Sequence, residues 1–281
     1  MITLDVSNSV LDSLDCRGTG LVSFNLDGCI TLKSLNCAYT GSGFSLDLSH
    51  CTSLEKLYTG GIKDLDVSNL PLLKTLHYRN SFSVLDLTNN PKLEDLRIFV
   101  PMYGEMGKID LSNNYQLSYF SIDFSSYVQS DPDMYLDLSN RKVLKSLSFS
   151  WAGGRGGGVA ENSIKKLNLS GCTSLESIYI EREPGISGHI CSLDASGCIT
   201  LSELNLYDME LKELNLEGCS TLSILDCSRN RLQPSLDVSN CRELSSIDCT
   251  NNSDLAELIL YRNHSIQSLL KDSHTQIVWA D

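Results

Sequence analysis

The fold class the sequence predicts is a leucine-rich repeat solenoid, and three observations carry it. First, one frame recurs along the chain. Leu214-x-Leu216-x-x-Cys219-x-x-Leu222-x-x-Leu225-x-Cys227 returns as Leu236, Val238, Cys241, Leu244, Ile247 and Cys249, and again as Leu193, Ala195, Cys198, Leu201, Leu204 and Leu206. Second, part of the frame is rigid. The first apolar residue of an L-D-V-S element stands at 4, 24, 46, 65, 85, 109, 136, 167, 193, 214, 236 and 258; the residue opening an L-x-x-L-x-C element stands at 11, 32, 54, 73, 93, 117, 144, 175, 201, 222, 244 and 266. The step is eight residues in every copy but the first, where 11 − 4 = 7. Third, successive openers lie 19 to 31 residues apart, and all the variation falls after L-x-x-L-x-C and before the next L-D-V-S. Self-similarity at about 20–29 residues with this spacing marks a leucine-rich repeat. The expected architecture is an α/β-type, right-handed curved array of about twelve coils, one per copy of the frame. A parallel β-sheet lines its concave face, and its convex side is irregular or strand-like, with little helix.

The L-D-V-S element comes first in each copy. Asp5, Asp47, Asp66, Asp86, Asp110, Asp137, Asp194 and Asp237 form one column, with Asn25, Asn168 and Asn215 substituting; Ser7, Ser49, Ser68, Ser112, Ser139, Ser170, Ser196 and Ser239 form another. Stacked carboxylates suit calcium, which takes oxygen ligands. Calcium-binding solenoids, however, use glycine-rich nonapeptide turns, and here leucine and valine stand between the polar residues. The columns are therefore expected to bond the backbone of the turn that follows, and no metal or other cofactor is expected.

Cysteine punctuates both elements. Cys29, Cys51, Cys172, Cys198, Cys219 and Cys241 lie five residues after the L-D-V-S leucine, a slot filled by Asn90, Asn114 and Asn263 elsewhere. Cys16, Cys37, Cys227 and Cys249 lie five residues after the opening leucine, where other copies carry Tyr78, Ile98, Ile122, Phe149, Ile180 or Leu206. Exchange with apolar residues argues for small buried hydrophobes stacked in ladders, not ligands. No C-x-x-C pair gives a zinc spacing. Cys191 alone of the eleven stands outside both slots.

The alternation L-D-V-S-x-N/C-x-x-L-x-x-L-x-C-x-x-N, clean from Leu236 to Asn252, resembles the cysteine-ladder internalins and related bacterial surface leucine-rich repeat proteins. The resemblance covers essentially the whole chain. It implies a curved solenoid at a bacterial cell surface, or secreted, that binds another macromolecule.

The L-x-x-L-x-C element is assigned to the concave sheet. Residues flanking its buried positions face outward and differ from copy to copy, whereas those of L-D-V-S are a monotonous Asp and Ser. On the middle copies the outward positions are read as Lys56, Tyr58, His77, Arg79, Arg97, Phe99, Tyr119, Asp123, Phe124, Trp151, Tyr179, Glu181, Arg182, Tyr207 and Asp208. Exposed aromatics with arginine have the composition of interface hot spots, so all of these but Lys56 form the candidate partner-binding set. The flanking copies carry Ser13, Asp15, Ser34, Asn36, Ser246, Asp248 and Thr250. Length insertions fall in the same span, at 100–107, 125–135, 152–162 and 183–191, and insertions in repeat proteins map to loops on one face, often the binding face. The run Gly153-Gly154-Arg155-Gly156-Gly157-Gly158 lacks the G-K-[ST] ending of a phosphate loop.

One solenoid over 1–281 is the expected domain organisation, since each coil contacts only its neighbours. Met1 enters mid-repeat, which points to a piece of a longer chain or one lacking its leader. A hydrophobic content of 41% suits a folded chain. The net charge of −13 argues against nucleic acid and anionic lipid, and no apolar run reaches membrane-spanning length. His50, His77, His189, His264 and His274 fall in unrelated slots, and no G-x-S-x-G or H-E-x-x-H occurs, so no enzyme is expected. A protein ligand is the expected partner. A glycan held by the same aromatic face is the second reading, and a structural spacer the third.

Overall fold

A computed structural model of the protein describes residues 2–40, 45–62, 65–101, 104–125, 129–130, 134–151, 162–182 and 188–281. The strand pairings are parallel throughout the ladders, and no helix occurs among the described residues. The α/β class is therefore overturned: the fold is an all-parallel β-solenoid of about eleven turns. The twelve copies of the frame enclose eleven complete turns between them. Both elements alternate apolar and polar residues with a period of two, so both become strands, and neither offers the 3.6-residue stripe a helix needs.

Two compact units are distinguished, one of Met1–Asp131, Ser150–Ala160 and Glu183–Gly185, the other of Pro132–Phe149, Glu161–Arg182 and Ile186–Asp281. In the first, the L-x-x-L-x-C strands Ser13–Asp15, Ser34–Cys37, Lys56–Gly60, Thr75–Arg79, Asp95–Val100 and Tyr119–Phe124 pair in that order. Leu14, Leu35, Leu57, Leu76, Leu96 and Phe120 stand side by side, each three residues after its opener, as the frame requires. In the second, Glu203–Asn205, Ile224–Asp226, Ser246–Asp248 and Ser268–Leu270 do the same through Leu204, Leu225, Ile247 and Leu269. The L-D-V-S leucines stack equally well, Leu85 against Ile109 in one unit, and Leu136, Leu167, Leu193 and Leu214 in the other. One further strand, Gln276–Ala280, continues this column by pairing Ile277 with Leu258.

Side-chain chemistry closes each turn. Asp47, Asp66, Asp110, Asp137 and Asp237 each accept a hydrogen bond at 2.9 Å from the backbone N–H of the serine two residues on. Asn25, Asn168 and Asn215 accept the same bond. The acidic column is thus committed to turn formation, and no group of three His, Cys, Asp or Glu is placed to hold a metal among the described residues. Two residues beyond that serine column lies the cysteine slot; between them the chain passes through left-handed φ, at +72° in Gly171 and Gly197 and at +58° in Asn140. Glycine suits this conformation because it lacks the Cβ that makes it costly.

Ten of the eleven cysteines are buried and Cys191 is partly exposed; all are free thiols. The exchange of cysteine with asparagine has a direct cause. Cys29, Cys172 and Cys219 donate Sγ–H to the carbonyls of Val6, Leu138 and Ala195 one coil back, at 3.2, 3.0 and 3.1 Å. Asn90 Nδ2 donates to Val67 and Leu70, and Asn114 Nδ2 to Leu87 and Asn90. Both side chains are small and carry a donor for the same carbonyl. At the last copy the frame slips by one: Asn263 is exposed, and His264 Nε2 meets the Cys241 carbonyl oxygen at 2.8 Å instead.

Parts of the four insertions are strand. Glu105–Gly107 belong to the strand Glu105–Asp110, and Gly107 lies so close to Ser83 that a Cβ there would collide with its carbonyl oxygen. Gln129–Ser130 pair with Glu105 and Met106, and Asn162–Ile164 pair with Gly188–Ile190. The glycine run 153–158 lies outside the described residues.

Candidate functional site

Strand parity sorts the predicted face. Counting from each opener, residues three, five and seven on point into the packed interior while the strand lasts, and residues two, four and six on point out. In the first unit the outward set is a grid in register. Lys56, Thr75, Asp95 and Tyr119 form one row; Tyr58, His77, Arg97 and Ser121 the next; Gly60, Arg79, Phe99 and Asp123 the third. Two positions of this grid are buried, Ser121 at 4% exposure and Gly60.

The grid is knit by charge and aromatic contacts. Arg97 grips Asp95 with two N–H groups, Nε to Oδ1 at 3.0 Å and Nη2 to Oδ2 at 3.1 Å. His77 Nε2 lies 3.5 Å from the same carboxylate. Partial burial raises the Asp95 pKa, but the hydrogen bonds from His77 and Arg97 and their charges outweigh it and leave the group below its ordinary value. The Tyr58 ring meets His77 edge-on, with centroids 4.7 Å apart. The Arg97 guanidinium lies 4.5 Å from the Tyr119 ring centroid, and that of Arg79 lies 4.1 Å from Phe99 and 5.0 Å from Tyr39. A depression of about 350 Å³ opens among these groups, lined also by Arg17, Asn36 and Asp123.

Two predicted members fall elsewhere. Phe124 and Trp151 are 2% and 1% exposed and stack on each other at 5.3 Å with planes 8° apart. Both stand seven residues after their openers, an inward position in strands that run six residues, Tyr119–Phe124 and Ser146–Trp151. They are core residues, and the reading of Trp151 as pointing away from the interior is corrected. In the second unit Tyr179 and Glu181 are exposed, and Arg182 ends its strand. Tyr207 is exposed with the Arg229 guanidinium 5.6 Å from its ring, and Asp208 occupies a left-handed turn.

Tyr39 was missed by the parity argument. It too stands seven residues after its opener, but its strand ends at Cys37, and Tyr39 adopts a left-handed φ of +57° that throws its ring outward to 67% exposure. Gly18, Asp208, Arg229 and Asn251 hold the same turn position in other coils. The residue type in that column did not mark Tyr39, since tyrosine is not a residue that favours left-handed φ. Asp95 was missed although its signal was local: it stands two residues before Arg97 on the same strand, where parity turns both side chains outward.

No protein-family model matches the sequence, and no curated protein matches it. Among solved structures the chain is similar to the functional domain of InlJ from Listeria monocytogenes, described as including a cysteine ladder. Identity there is 20%, 94% of this chain and 70% of the other are covered, and the TM-score is 0.44. It is also similar to an internalin, InlF, of the same organism (16% identity, 95% and 86% covered, TM-score 0.43). A leucine-rich repeat protein from Bacteroides ovatus matches at 12% identity over 100% and 92% of the chains, with a TM-score of 0.23.

Proposed function

We propose that the protein is a non-enzymatic binding module, at a bacterial cell surface or secreted, that recognises a protein partner through the L-x-x-L-x-C face of its first unit. The observation that carries this reading is the in-register grid of Tyr58, His77, Arg79, Arg97, Phe99 and Tyr119, solvent-facing in a chain of net charge −13. Aromatic and arginine side chains held in fixed geometry supply contact area at little entropic cost. Among the second unit's residues, Tyr179, Glu181, Tyr207 and Asp208 extend the candidate set, as does Arg182.

A protein is favoured over a glycan because of what the rings already do. Phe99, Tyr39 and Tyr119 each carry a guanidinium on a face, and Tyr58 packs against His77. Rings engaged in this way serve as supports for cations more than as open platforms for sugars.

Photo-crosslinking tests the reading. A benzophenone amino acid is placed at Lys56 or Thr75 on this face, or at Ser23 or Val84 on the exposed L-D-V-S strands, and the protein is incubated with cell extract. Protein adducts that form from the first pair alone are expected. Equal adducts from both pairs, no adducts, or adducts lost on deglycosylating the extract would overturn it.

A further inference from the structure

The chemistry of this face turns on Arg79. Arg97 is chelated by Asp95, and Arg17 pairs with Asp15 at 3.2 Å. Arg79 has no ion-pair partner among the described residues, although its side chain is exposed. Its guanidinium is instead held by the rings of Phe99 and Tyr39. A guanidinium lying over aromatic faces is held there through its charge and keeps N–H donors that match a carboxylate.

Tyr39 supplies an independent observation. A non-glycine residue at left-handed φ is strained, and that strain is heaviest to explain for a bulky side chain. Elsewhere this turn position is Gly, Asp, Arg or Asn. Here the strained residue is a tyrosine whose ring is delivered onto Arg79, and strain of this kind gathers at ligand clamps. Charge adds direction: an acidic partner is repelled by most of a chain carrying −13 and attracted where the arginines cluster, so it is oriented as it arrives.

We infer that Arg79, held between Tyr39 and Phe99, is an anion receptor that takes a carboxylate from an acidic segment of the protein partner, with Tyr58 and His77 lining the approach. This inference rests on the reading of the face as a protein-binding surface. Fluorescence anisotropy with a labelled oligoglutamate peptide, and an oligoglutamine peptide as control, tests it at low ionic strength. The glutamate peptide is expected to bind and the glutamine peptide not to. Arg79→Gln should weaken binding roughly tenfold or more. Arg79→Lys should recover little of it, because an ammonium has no planar fork to stack. Tyr39→Gly, which suits the backbone, should weaken binding with the fold unchanged by circular dichroism. Arg229→Gln, removing a stacked arginine of the second unit, should have no effect. Binding unaffected by Arg79→Gln, equal loss with Arg229→Gln, or no binding of the glutamate peptide would overturn the inference. If the crosslinks from Lys56 and Thr75 still form in an Arg79→Gln background, the acidic ligand alone is refuted; if they never form in the unaltered protein, the binding face is.

Discussion

Replacing Asn90 separates the two properties that qualify a residue for the ladder slot, size and a donor. Asn90 is fully buried, and its amide donates to the carbonyls of Val67 at 3.0 Å and Leu70 at 2.9 Å. Each carbonyl also accepts a backbone N–H, Val67 from Leu70 and Leu70 from Leu73. Losing the side-chain donors therefore forfeits two net hydrogen bonds without fully orphaning either acceptor. At about 1 kcal/mol per bond, plus a small cavity, Asn90→Ala should cost roughly 2–3 kcal/mol. Asn90→Cys keeps a donor for the Val67 carbonyl, as Cys29 does for Val6, and should cost about 1 kcal/mol or less. Asn90→Leu fills the slot without a donor and should fall near the alanine variant. The assay is urea unfolding followed by fluorescence of Trp151, which is buried, while Trp279 is 49% exposed and contributes little change. A cysteine variant as unstable as the alanine variant, or an alanine variant indistinguishable from the parent, would refute the shared-donor account.

Three other outcomes are expected. Trp151→Ala should destabilise by about 3–5 kcal/mol, since it empties a buried aromatic stack with Phe124, whereas Tyr179→Ala, exposed, should change stability by about 0.5 kcal/mol or less; urea midpoints followed by circular dichroism decide between core and surface for both. Thiol labelling of the native protein should modify Cys191 first and leave the ladder inert at pH 8. Burial pushes Cys51 and Cys219 up to about 11 and Cys241 and Cys249 up to about 12, far from the thiolate; mass spectrometry showing even labelling would contradict this. Asp5, Asp47, Asp66 and Asp86 are held below the ordinary carboxylate value by hydrogen bonds from the Ser or Thr two residues on. Their contribution is complete above the unfolded pKa of about 3.9 and is lost as pH falls through the lower folded values. Acid titration of Asp66→Asn, which keeps the turn bond as Asn25 does, should show a smaller loss of stability below about pH 4 than the parent.

The candidate site was legible in its columns and illegible in its contacts. Tyr58, His77, Arg79, Arg97, Phe99 and Tyr119 could be placed outward because alternation along a strand is local and the register came from the eight-residue step. The clamp on Arg79 joins three coils, Phe99 one coil on and Tyr39 two coils back, and its geometry depends on how coils of unequal length stack, whereas Asp95 and Arg97 lie two residues apart on one strand.

Sequence alone determined the register, the burial of the cysteine slots and the use of the Asp column in turns. Each follows from a spacing that repeats, and a repeat forces like residues into like surroundings. Tertiary structure decided two things. Both elements became strands, where an α/β array was expected, because turns closed by Asp, Asn and left-handed glycine leave extended chain on either side. Structure also decided the seventh position after each opener. In Tyr119–Phe124 and Ser146–Trp151 the strand reaches that position and buries Phe124 and Trp151; after Ser34–Cys37 it stops short, and the left-handed turn carries Tyr39 out to Arg79. How far a strand runs depends on whether a neighbouring coil pairs with its last residues, and that pairing is not written in the strand's own sequence.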